Sequence, residues 1–197
     1  TIIFNNKKID LISDIFSFIF NWNPKSVKKL KKEINSFEPD IVYIHNTWFK
    51  ASVGILNELK KRKLKTFIKL HNFRYDCTRH YLSKNHFNKD KRCEKCGVSK
   101  NNIINKYFTE SILKSFLILR YGKKYFKFIK DSTFNLIVLT NFHKNFLENL
   151  GIRIERVHTI HNPFKNEFIN NEKNGNYLIY AGRISEEKGV EELIKAF

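Results

Sequence analysis

The sequence predicts an α/β protein built on a parallel sheet, followed by the opening βα unit of a second domain of the same kind. Three observations carry this expectation. Short apolar runs alternate with amphipathic stretches from residue 25 onward, the pattern of successive βαβ units. The dipeptide His-Asn follows an apolar run at His45-Asn46, His71-Asn72 and His161-Asn162. The segment 177–197 reads as strand, turn and helix.

Taken in order, a helix is expected over 26–37, stopped by Pro39-Asp40, and a strand over 41–44. A helix over 51–63 follows, with Val53, Ile55, Leu56 and Leu59 as its apolar face, and then a strand over 66–70. Residues 103–130 read as a basic, aromatic-rich helix in which Ile104, Phe108, Ile112, Leu113, Phe116, Leu117 and Leu119 are interleaved with Lys106, Lys114, Arg120, Lys123, Lys124, Lys127 and Lys130. A strand over 136–139, a helix over 141–150 closed by Gly151, and a strand over 157–160 complete the first domain, residues 1–164. The polar, Asn-rich stretch 165–176 is expected to be a linker, and residues 177–197 to open the second domain with a strand over 177–181.

Composition bounds the function. An apolar fraction of 42% in 197 residues supports a true core. No run of eighteen uncharged apolar residues occurs, so neither a transmembrane helix nor a secretory signal is expected, and a cytoplasmic location follows by default. The net charge of +18 is lopsided, with +13 in residues 1–100 and +5 in the remainder. Such a field attracts nucleic acid, anionic lipid or phosphorylated substrate, although joint over-use of Lys, Asn, Ile and Phe also fits an AT-rich gene. The chain lacks methionine, starts at Thr1 and stops at Phe197 on an apolar helical stripe, and it is expected to be a fragment cut at both ends.

The turn within 177–197 carries the clearest chemistry. Gly182 admits a close backbone approach, Arg183 offers a planar fork, and Lys188-Gly189 falls where a helix N-terminus presents unpaired N–H groups. Two cations beside a helix terminus suit a diphosphate; an ordinary βα turn with solvated cations is the plain alternative. In parallel sheets the carboxyl ends of strands line the ligand crevice, which makes His45, Asn46, His71, Asn72 and Asn162 candidates for contact with sugar or phosphate.

These segments together resemble glycosyltransferase family 4, in the branch that builds capsular, exopolysaccharide and lipopolysaccharide chains. Gly182-Arg-Ile-Ser-Glu-Glu-Lys-Gly189 resembles its G-R-[hydrophobic]-x-x-x-K-G donor turn. Pro39 to Asn46 is similar to P-D-[IV]-[IV]-H-x-H-N, with Tyr43 in place of the first His. Lys69 to Cys77 is similar to T-x-H-[ND]-Y-R-x-x-C, Leu136 to Lys144 resembles the family's strand and S/T-x-F-x-K helix, and Ile160 to Pro163 resembles I-P-N-[GP] with His161 for Pro. The resemblance implies a GT-B architecture: a Rossmann-like N-terminal domain, incomplete at its start, plus the first βα unit of a second Rossmann-like domain. It implies a retaining, hexosyltransferase-type enzyme that uses a nucleotide-sugar donor, UDP before GDP, and a glycolipid or oligosaccharide acceptor. His71 would be the catalytic residue beside the donor sugar, and Gly182, Arg183, Lys188 and Gly189 the diphosphate site, with no cofactor required. The family's acidic donor motif would fall beyond Phe197, so the fragment is expected to be inactive alone. Members acting on lipid-linked acceptors dock peripherally on the anionic inner leaflet, for which the Lys-rich part of 103–130 is the candidate surface; a core-facing helix is the alternative.

Cys77, Cys93 and Cys96, spaced C-x15-C-x2-C with His80 and His86 between them, suit a structural zinc knuckle, free thiols in a reducing compartment, or a redox pair. Two further classes stay open. A basic nucleic-acid- or lipid-binding protein fits the charge, but the aromatics sit in apolar patterns and the C-x2-C lacks the second half of a finger. A non-catalytic remnant of a transferase fits the truncation.

Overall fold

The computed structural model describes residues 16–17, 19–45, 47, 51–73, 75–76, 87–88, 91–92, 112–163, 176–184 and 188–197. Helix α1, Pro24–Phe37, starts where Asn23 accepts the Ser26 N–H at 3.1 Å and Pro24 needs no partner for a missing donor. Its Val27, Leu30 and Ile34 are buried, and it ends at Glu38 in the left-handed region. Strand β1, Ile41–His45, is followed by α2, Ser52–Lys61, and β2, Lys65–Lys69. A two-residue antiparallel pair, β3 (Phe87–Asn88) with β4 (Lys91–Arg92), precedes the long helix α3, Ile112–Asp131. Then come β5 (Asn135–Val138), α4 (Asn141–Asn149), a 3-10 turn at Ile154–Arg156, β6 (Val157–Thr159) and α5 (Val190–Ala196).

The four longer strands form one sheet in the order β1-β2-β5-β6, every pair parallel. The α/β expectation is met for this part, in an arrangement compatible with a Rossmann-like domain. Register places Ile44, Ile68, Leu136 and Val157 on one face, and these join Leu56, Leu59, Tyr121, Tyr125, Ile129 and Leu147 from the helices in the core. The other face carries Tyr43, His45, Phe67, Lys69, Ile137 and His158, of which Lys69 and Ile137 are buried. Chemistry and core therefore divide between faces by the period-2 rule of a strand.

Three local devices fix the helices. The Ser52 hydroxyl, on a residue with φ of 61°, accepts from Gly54 N–H in α2 and from Asn23 N–H ahead of α1, so one side chain joins two helix starts. Gly54 permits this approach, since a Cβ there would collide with the Trp22 ring. Glu58 holds Arg62 at 2.9 Å and Lys31 of α1 at 3.5 Å; the hydrogen bond from Arg62, with both cations, keeps its carboxyl below the ordinary glutamate value. Arg156, 8% exposed, donates to the carbonyls of Ile129, Lys130, Ser132 and Phe134. A cation placed on the last carbonyls of α3 satisfies them and opposes the helix dipole.

The expected elements recur within a residue or two, with one correction. Residues 177–181 form no strand: they are exposed, and among the described residues no strand pairs with them. A parallel strand draws its stability from a neighbour's ladder and from burial, so an apolar run without either stays irregular. The basic helix is described over Ile112–Asp131, where it meets the expectation; residues 103–111 lie outside the described residues, as do the expected linker residues 165–175. No described helix is long and apolar enough to cross a membrane.

Candidate functional site

All four parallel strands deliver their carboxyl ends to one edge. His45 ends β1, Lys69 ends β2, and the two are register partners, so their side chains stand on the same face. His71 follows two residues later, and its Nε2 meets Nδ1 of His45 at 3.0 Å. Tyr43 lies edge-on to His45 with ring centroids 4.5 Å apart. From beyond β6, Asn162 accepts a hydrogen bond from Lys69 Nζ at 2.8 Å. Two of the three His-Asn pairs thus supply facing rings, and the third reaches them through Lys69.

Desolvation of its ring lowers the His71 pKa from the ordinary imidazole value, and the charges of His45 and Lys69 push the same way. His71 is therefore neutral at pH 7 and able to donate through one nitrogen and accept through the other. The loop that carries it is anchored from behind. Tyr75 OH and His143 Nε2 lie 2.6 Å apart, both side chains buried, and the Phe73 ring packs on His143 at 4.5 Å and on Phe146 at 5.0 Å. His143 is itself fixed in the first turn of α4, where its N–H bonds the Thr140 hydroxyl. Asn72 is half-buried on this loop.

Lys69, Tyr75 and His143 were invisible as site residues in the sequence. Lys69 is a cation in a strand of ordinary appearance, and its importance comes from register with His45 and from a partner 93 positions away. A better signal was the Lys-x-His spacing at a strand end, which sets both groups on one face.

The expected donor turn has a different status. Gly182, Arg183 and Lys188 are exposed, and Gly189, φ 65°, caps α5 from outside the helix. Tyr180 OH donates to the Arg183 carbonyl at 2.8 Å and lies over Gly182, where a Cβ would come within 2.7 Å of it. Glycine gives room to this local closure over Tyr180, and among the described residues no strand pairs with the segment. Asn46, Cys77, Cys93 and Cys96 lie outside the described residues, and among the described residues no group of three or more His, Cys, Asp and Glu is placed to hold a metal. A groove of about 320 Å³ between α1 and β1, lined by Leu30, Ile34, Phe37 and Ile41 among others, opens at the far end of β1 from His45 and offers no comparable polar set.

No family model, curated protein or solved structure matches this chain.

Proposed function

We propose that this chain is the acceptor-side domain, with the start of the donor-binding domain, of a retaining glycosyltransferase of GT-B type. It moves a sugar from a nucleotide-sugar donor to a lipid-linked saccharide acceptor in the synthesis of a cell-surface polysaccharide. The observation that carries this reading is the meeting of His45 and His71 at the carboxyl ends of adjacent parallel strands, the place where sheets of this kind hold ligands. The motif resemblance adds the chemistry. Neutral His71 hydrogen-bonds the sugar without abstracting a proton, and Arg183 with Lys188 offsets charge on the departing diphosphate.

Calorimetry with UDP, GDP and ADP tests the reading. Arg183→Ala and Lys188→Ala are each expected to lose about 1.5–3 kcal/mol of nucleotide binding. Unchanged affinity in both removes the donor site. His71→Ala should abolish transfer.

Helix α3 supports a peripheral contact with an anionic membrane. Its exposed positions are apolar at the start, at Ile112, Leu113 and Phe116, and cationic further on, at Arg120, Lys124, Lys127 and Lys130. Co-sedimentation with vesicles containing phosphatidylglycerol checks it: binding should fall when Lys124 and Lys127 become Glu, and equal binding to neutral vesicles removes the electrostatic contact.

A further inference from the structure

A buried ammonium needs compensation. Lys69 is 8% exposed, yet its hydrogen-bond partner among the described residues is the neutral amide of Asn162. Burial of its ring first, then His45 and Lys69 beside it, hold the His71 pKa below the ordinary imidazole value. Among the described residues at the strand ends, this edge of the sheet gathers one ammonium and two imidazoles.

Two ligand chemistries use a pair of imidazoles whose nitrogens face at 3.0 Å, a metal ion and an oxyanion. A metal asks for further His, Cys or carboxylate ligands, which the described residues do not supply around this pair, and it meets the repulsion of Lys69. An oxyanion uses every group present. Lys69 retains two N–H bonds beyond the one Asn162 takes, and each imidazole brings a ring N–H.

We propose that the crevice at the carboxyl ends of β1, β2 and β6 is an oxyanion site in which Lys69, His45 and His71 together hold a phosphoryl group of the bound ligand. Asn162 sets the position of the ammonium, and the phosphoryl oxygens take the place of the His45–His71 hydrogen bond by accepting from each ring. This assignment stands on the first domain alone and goes beyond the transferase reading, since it holds for any phosphate-bearing ligand. The phosphoryl group belongs either to a nucleotide or to a phosphorylated acceptor.

The test is an NMR titration of the histidine ring resonances with inorganic phosphate, with acetate in parallel. Phosphate is expected to shift His45 and His71 saturably, and to leave His158, bonded to Asn135 on the same face, unmoved. Lys69→Gln should weaken binding about tenfold, and so should His45→Gln, an exposed position that guards against a folding failure at Lys69. Lys69→Arg should retain most of it. UDP competing with phosphate assigns the group to the donor, whereas glycerol phosphate competing alone assigns it to the acceptor. Arg183→Ala should leave the phosphate response intact, so failure of the donor turn is separable from failure here. The proposal is overturned by a missing response in the folded chain, by equal binding in Lys69→Gln and His45→Gln, by acetate binding as well as phosphate, or by zinc occupying the pair in preference.

Discussion

Residues 41–45 and 177–181 are near equivalents as sequence, each a short apolar run leading toward a turn and an amphipathic helix. In the fold they part. The first is β1, paired along its whole length with Lys65–Lys69, and its helix α2 buries Val53, Ile55, Leu56 and Leu59. The second leaves Tyr177, Leu178 and Ile179 more than half exposed, and the seven-residue α5 buries nothing. The difference lies in the neighbours, because a strand without a ladder and a helix of two turns without a core to cover are each marginal in water.

The sharpest way to break this contrast is to truncate one leucine in each region. Leu136→Ala, at a position with no exposure, should cost about 2–5 kcal/mol in urea unfolding, whereas Leu178→Ala should stay within about 0.5 kcal/mol. Similar losses at both would mean that residues 177–181 are packed. Next in size is Arg156→Met, which strips four carbonyls of their donor; a loss of about 2–3 kcal/mol is expected, with faster amide exchange at the end of α3. Tyr75→Phe removes the hydroxyl from buried His143 and should cost about 1 kcal/mol while broadening the His71 resonance.

The smallest effect has a sign that pH reveals. The Glu58 carboxyl titrates lower in the folded chain than in the unfolded one, so its contribution is present above the unfolded value and is lost as pH falls through the folded value. Glu58→Gln should therefore destabilise by about 0.5 kcal/mol at pH 7 and by nothing once the carboxylate is protonated. A constant difference across that range would show packing, not charge, at work. His71 acts in the same direction at higher pH: its folded value is depressed, so stability is full above the ordinary imidazole value and declines as pH falls below it.

What the sequence made legible follows from what is local. The strands at β1, β2, β5 and β6 are compact apolar runs between turn residues, and Asn23, Thr140 and Gly151 punctuate helices in ways their chemistry dictates. His45, His71 and Asn162 were readable as candidates because each follows a strand. Their convergence was not, since it rests on the register of β1 against β2 and on a contact between residues 69 and 162. The same holds for Tyr75 with His143, 68 positions apart, and for Arg156. Residues 177–181 mark the opposite limit, a local pattern that promised a strand where no strand among the described residues pairs with it.

Arg156 carries a consequence for the order in which the chain matures. The carbonyls it donates to lie 22 to 27 residues earlier, so a ribosome releases the end of α3 well before its cap. At ordinary synthesis speeds that interval is about one to five seconds. During it the helix end keeps only its local bonds, such as Ser132 N–H to the Phe128 carbonyl, and the buried seat of the guanidinium is open to a chaperone or to a wrong partner.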